Sequence, residues 1–256
     1  MGFFSEVNNS LIIIINKRIV QIPCSQKTVS FLIANQMQLN EKKEDIEKWF
    51  QSDDRFDQLY PSPIQALARK HWTQLDVAKR AATFLSAERN AKILDIGSGV
   101  GKFCLAAAYY QPNTFYYGVE QRSNLIEDAE QARKVLHLDN VSFIHGNFTQ
   151  LDFRKYDHFY FYNSFFENIA DSGRIDDSIA YSGELFNYYN RYLYRQLEKK
   201  PIGTRLVSFH SMDDEIPQGF HMVDSDMNNL LKCWIKVEMR AAIPKWPLQE
   251  VQKFQN

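Results

Sequence analysis

Cysteine is scarce in this sequence: Cys24, Cys104 and Cys233 are the only three. An odd number so widely spaced builds neither a disulfide framework nor a zinc site, and a reducing cytoplasm is the expected location. No excess of one charge is present either. Thirty Lys and Arg stand against 31 Asp and Glu, for a net charge of −1. That balance gives no reason to expect a polyanion, so nucleic acid is not a favoured partner. Long apolar runs are missing as well. The strongest, Leu11 to Ile15, ends at Asn16-Lys17-Arg18 and is far short of the roughly 20 residues of a membrane helix, so no membrane partner is expected. A secretory signal would carry positive charge before the run and not after it, and Glu6 stands where a myristoylation site needs Ser or Thr, so neither is expected. What is present is a 256-residue chain, 45% apolar, enough for one large domain or a core domain with an accessory segment.

Two β-branched stretches, Leu11 to Ile15 and Arg18 to Ile22, flank Asn16-Lys17 and read as a small hairpin. Residues 41–50 carry the charge pattern of an exposed helix with Ile46, Trp49 and Phe50 on its apolar side, and a loop is expected at Tyr60-Pro61-Ser62-Pro63. Thr73 suits an N-cap for a helix through Leu85, whose Leu75, Ala78, Ala82 and Leu85 share one face. From Ala91 the pattern alternates. Strands are expected at 92–96, 115–119, 141–145, 159–162, 205–209 and 233–239, with helices at 102–110, 125–136 and 184–198. Alternation of this kind means a mainly parallel sheet with helices on both faces, an α/β fold.

The chemistry is concentrated in Asp95-Ile96-Gly97-Ser98-Gly99-Val100-Gly101-Lys102, between the first strand of this unit and its helix. Glycines at 97, 99 and 101 let the backbone turn tightly and approach a ligand, and the helix N-terminus offers free N–H groups. A Walker A loop needs four residues between its first glycine and the Gly-Lys pair; three stand here, followed by Phe103 instead of Ser or Thr. A dinucleotide turn reads G-x-G-x-x-G, and this one is G-x-G-x-G, which disfavours a nicotinamide cofactor.

Residues 93–103, with "LDIGSGVGKF", resemble motif I of the class I S-adenosylmethionine-dependent methyltransferases. Tyr117 to Gln121 supports the likeness, because Glu120 follows Gly97 by 23 residues, the spacing of an acid that accepts from the ribose hydroxyls. Gly146-Asn147-Phe148 lies where the family contacts the adenine, although Asp is commoner than Asn at 147. The likeness spans about residues 70–210, and its closest variant is the Dot1-type branch, which methylates lysine. It implies a Rossmann-like, seven-stranded, mainly parallel sheet in a domain of residues 70–256, with residues 1–69 as an accessory segment. It also implies S-adenosylmethionine as cofactor, held by Asp95, Gly97, Ser98, Gly99, Gly101, Glu120, Gln121, Gly146, Asn147, Phe148 and Asn163. An NAD(P)-dependent oxidoreductase and a non-catalytic nucleotide-binding module are the alternatives.

For the acceptor, Asn163-Ser164-Phe165-Phe166 leaves the fourth strand at its carboxyl end, where open α/β sheets bind ligands. The Asn163 amide carbonyl is the expected orienting acceptor for an amine and Phe166 the expected stacking partner, as in amine-directed methyltransferases, although Ser164 and Phe165 replace the prolines of one such motif. N-methylation of a lysine or small amine is expected. Thirteen aromatic residues stand between Tyr156 and Tyr194; the strand tyrosines read as core, Phe165 and Phe166 as site. His71 and Trp72 fit a place near the cofactor as well as surface and core. His210 reads as structural, and Asp213-Asp214-Glu215 as a solvated turn.

Overall fold

The computed structural model describes residues 6–7, 10–15, 18–23, 27–28, 30–31, 34, 45–169, 174–211 and 213–238. The chain divides into two units, residues 1–59 and 60–256. In the first, β1 (Glu6–Val7), β2 (Ser10–Ile15) and β3 (Arg18–Pro23) form an antiparallel sheet in that order. Ile14 faces Ile19 across the β2–β3 hairpin. Of the helix expected over 41–50, residues 41–44 lie outside the described residues; 45–47 are helical and Lys48–Phe50 tightens to a 3₁₀ turn. A short α1 (Asp53–Asp57) follows, capped by Ser52, whose hydroxyl accepts the Arg55 N–H at 3.2 Å.

The second unit opens with α2 (Ser62–Gln65), where a loop is expected. The prolines do not prevent it, because Pro61 precedes the helix and Pro63 sits in its first turn, where a missing N–H costs nothing. Then come α3 (Ala68–His71) and α4 (Leu75–Leu85). The α4 cap is Gln74, not Thr73: the Thr73 hydroxyl is buried and bonds the Tyr160 hydroxyl at 2.9 Å. Leu75, Ala78, Ala82 and Leu85 are all buried on the expected face.

The sheet comprises β4 (Lys92–Ile96), β5 (Phe115–Glu120), β6 (Val141–His145), β7 (His158–Tyr162), β8 (Arg205–Phe209), β9 (Phe220–Asp226) and β10 (Leu231–Lys236). Its order is β6-β5-β4-β7-β8-β10-β9. All neighbours from β6 through β8 run parallel, and β10 is antiparallel to both β8 and β9. The last strand ends at Lys236, and β9 stands beside it with no counterpart in the sequence reading. Helices α5 (Lys102–Tyr110), α6 (Ser123–Val135) and α7 (Gly183–Glu198) complete the unit. Among the described residues no helix is long and apolar enough to cross a membrane.

Burial explains the positions. Residues 93–96 of β4 are all buried, as a strand covered on both faces requires. Under α7, Phe148, Phe153, Phe159, Phe161, Phe165 and Tyr189 form one aromatic cluster, with Phe148 stacked on Phe165 at 5.0 Å and Phe153 on Phe159 at 5.3 Å. Each such ring contributes about 1.5–3 kcal/mol by leaving water. The strand order reverses at β4, since β5 lies on one side of it and β7 on the other. Ligands bind above the carboxyl ends at such a point.

Candidate functional site

The glycine turn joins β4 to α5, and all three of its glycines have left-handed backbones, with φ of 75° at Gly97, 52° at Gly99 and 76° at Gly101. They are needed for different reasons. A Cβ on Gly97 would lie 2.5 Å from the Ser164 Cβ, and one on Gly101 would run into the Phe143 ring. Nothing stands within 4 Å of a Cβ on Gly99, so its face of the turn is a cradle. The Gly97 and Ser98 N–H groups both donate to the Val119 carbonyl at 3.0 Å, fixing the turn to β5.

Glu120 ends β5 and is buried. Its Oε2 accepts the Gly99 N–H at 3.2 Å, while Oε1 accepts the Gln121 and Arg122 N–H groups at 2.8 and 3.0 Å and Arg122 Nη1 at 3.4 Å. A carboxylate oxygen has about two lone-pair sites, so Oε2 keeps capacity for a further donor. This oxygen beside an open glycine fits a ribose hydroxyl.

A cavity of about 370 Å³ opens over the carboxyl ends of β4, β5 and β7. It brings together eight of the expected residues: Gly97, Gly99, Glu120, Gln121, Gly146, Phe148, Asn163 and Phe166. Four stand elsewhere. Asp95 and Ser98 line a small adjoining cavity of about 30 Å³, with His71 and Tyr160. Gly101 supports the turn from behind. The Asn147 side chain is consumed by structure, donating to Gln121 Oε1 at 3.0 Å and the Tyr189 hydroxyl at 2.8 Å and accepting from the Thr149 N–H and hydroxyl.

Asp95 is buried, and burial pushes its carboxyl up to about 8, against a weak Cys104 thiol bond at 3.6 Å and with the Glu120 charge adding to the rise. Asn163 has a left-handed φ of 40°, a conformation that side chains other than glycine adopt at some cost and that recurs at functional sites. Ser164 fixes the turn that presents it by donating to the Ile96 carbonyl at 2.5 Å. Phe165 turns inward to the aromatic cluster, and Phe166 stays 46% exposed at the cavity. Tyr160 is core, whereas Tyr162 lines the cavity; His71 and Trp72 line it too. Burial lowers the His71 pKa, opposed by the Glu167 charge. His210 stacks on Tyr162 at 5.5 Å.

Several residues were not legible in advance. Gly118 lies within β5 because Ser98 Oγ would be 2.6 Å from a Cβ there; a glycine inside a strand signals such an approach. Arg122, Glu167 and Tyr181 also line the cavity. Burial and the Glu167 charge raise the Tyr181 hydroxyl to about 12.

A family model described as a methyltransferase domain matches residues 87–252. A tRNA (guanine-N(7)-)-methyltransferase of Synechococcus sp. (strain JA-3-3Ab) is 50% identical over 54 residues, 21% of this chain and 23% of that protein. A 23S rRNA (uracil(1939)-C(5))-methyltransferase of Photorhabdus laumondii is 27% identical over 117 residues, 46% of this chain and 26% of that protein. These matches span about a quarter of each curated relative's length. A solved RNA methyltransferase from Salinibacter ruber, in complex with S-adenosyl-L-homocysteine, has a TM-score of 0.48 at 19% identity, covering 67% of this chain and 97% of that one. The relatives' names overturn the expectation that nucleic acid is not a favoured partner. Net charge is a whole-chain average, and it does not exclude a base taken into a cavity. The match to the family does not reach the finer Dot1-type likeness. With the glycine cradle, the Glu120 carboxylate and a family match over residues 87–252, the chain belongs to the methyltransferase-domain family.

Proposed function

We propose that this protein methylates a nitrogen of an RNA base. The observation that carries the reading is the presence of Asn163 and Phe166 in the same cavity as Gly99 and Glu120. When bound, S-adenosylmethionine supplies an electrophilic methyl group on a sulfonium. Gly97, Gly99 and Glu120 would hold it, with Gly146, Phe148 and Gln121 beside its base. The Asn163 amide offers both an acceptor and a donor to a base edge, and accepting an N–H there fixes the direction of the nitrogen lone pair. Phe166 gives an unstacked base an aromatic face. Holding the reacting nitrogen in line is worth several kcal/mol of barrier, on the order of 10²-fold or more in rate. The relatives' names support RNA over the lysine or small amine expected from sequence. On this reading the accessory segment, expected over residues 1–69, is the unit of residues 1–59, and the catalytic domain is the unit of residues 60–256, working in the cytoplasm.

The test is transfer from methyl-deuterated S-adenosylmethionine to transfer RNA, ribosomal RNA and a lysine-rich protein, followed by nucleoside and peptide mass spectrometry. The label is expected on a base nitrogen, and lost with Asn163→Ala. Label on lysine, or on carbon or oxygen of RNA, would overturn the assignment.

A further inference from the structure

The Arg122 side chain is only 3% exposed and has four side-chain partners at the site. Nη1 lies 3.4 Å from Glu120 Oε1. Nη2 donates to Glu167 Oε2 and to the Tyr181 hydroxyl, both at 2.6 Å, and Nε donates to Asp176 Oδ1 at 3.1 Å. The acids it joins come from three segments: the end of β5, the 3₁₀ turn Phe166–Asn168 after β7, and residues 174–181 ahead of α7. The same acids organise the third segment. Glu167 Oε2 also accepts the Ile175 N–H at 3.2 Å, and Asp176 Oδ1 accepts from the Ser178 N–H and hydroxyl at 3.0 and 2.6 Å. Ile175, Ile179 and Tyr181 then line the same cavity as Gly97 and Gly99.

Only arginine can do this. Its planar fork meets several acceptors in fixed directions, whereas a lysine ammonium is a single point charge. Three carboxylates around one cation also leave the cluster with surplus negative charge, so removing Arg122 would set the buried Glu120 against the half-buried Glu167 and Asp176.

We propose that Arg122 is a positioning residue that couples the Glu120 carboxylate to residues 174–181, so that cofactor binding and the order of this cavity wall rise together. Such coupling is reciprocal: a ligand that settles Glu120 steadies the wall, and a loosened wall weakens the ligand. This rests on the cofactor assignment and not on the acceptor.

The experiment is hydrogen exchange over residues 174–181 with and without S-adenosylhomocysteine, together with calorimetric affinity. It compares wild type, Arg122→Lys and Asp176→Ala. The Asp176 side chain is 33% exposed and does not line the cavity, so its removal is tolerated and leaves the Arg122 pairs with Glu120 and Glu167. In wild type the ligand is expected to slow exchange in this segment. In both variants affinity should fall on the order of tenfold, and the ligand-dependent slowing should disappear. Unchanged affinity, or slowing as large as in wild type, would show that Arg122 is merely structural and overturn the proposal. A wild-type protein that binds no S-adenosylhomocysteine would instead sink the cofactor assignment, and this inference with it.

Discussion

Glu120 Oε2 accepts the Gly99 N–H at 3.2 Å, tying the end of β5 to the glycine turn after β4 across 21 residues of sequence. The bond fixes the carboxylate beside the one glycine of the turn with open space over its Cβ position. A carboxylate held this way before ligand arrives spends little entropy on binding. Glu120→Ala is therefore expected to cost about 1.5–3 kcal/mol of S-adenosylhomocysteine binding, the worth of hydrogen bonds to a charged group. Calorimetry on the folded variant checks it, and an unchanged dissociation constant would remove Glu120 from the site.

The turn glycines separate binding from folding. Gly99→Val is strained by its φ of 52°, but its Cβ meets nothing within 4 Å, so it should fold with a lowered melting temperature that S-adenosylhomocysteine no longer raises. Gly101→Ala would drive its Cβ into Phe143, costing about 1–3 kcal/mol of stability by overpacking. Thermal melts with and without ligand distinguish the two.

Asn163→Ala should reduce turnover by roughly 100-fold, the effect of a misdirected nucleophile, and leave S-adenosylhomocysteine affinity nearly unchanged. Asn163→Gly relieves the left-handed backbone, at φ 40°, without restoring the amide. It should fold better than the alanine variant and be just as slow. Steady-state kinetics beside calorimetry decides this, and a fast glycine variant would assign Asn163 to the backbone alone.

Asp95 gives a pH dependence with a definite sign. Burial raises its carboxyl from 3.8 to about 8, so between these values the folded chain holds a proton that the unfolded chain has lost. Stability from this group is complete below pH 4 and declines as pH rises toward 8. Asp95→Asn should flatten the fall in melting temperature from pH 5 to pH 8 relative to wild type. Parallel curves would show that Asp95 ionises normally in the folded protein.

Much of this was legible locally. Strand β4 and helix α5 begin and end where read, because glycines close one and Pro112 the other. Gly97, Gly99 and Glu120 were singled out by the resemblance of the glycine turn and the following acid to the class I methyltransferase motif, and the fold brings the three to one cavity. Strand β9, Phe220–Asp226, was missed because most of its residues are exposed at the sheet edge, so it lacks the apolar run that announced the interior strands. Thr73 reads as a cap until Tyr160, 87 residues away, takes its hydroxyl. Arg122 carries no local signal: Glu167 and Asp176 lie 45 and 54 residues on, and only the fold gathers them. Asn147 follows β6 at the expected point of the sequence but spends its amide on Gln121 and Tyr189.

The most direct measurement is calorimetric titration of the intact protein with S-adenosylhomocysteine and, separately, with NADH. One-to-one binding of S-adenosylhomocysteine with no comparable heat from NADH is the predicted result. Tighter binding of NADH would contradict the account at its centre, because a Gly-x-Gly-x-Gly cradle beside Glu120 would then serve a nicotinamide.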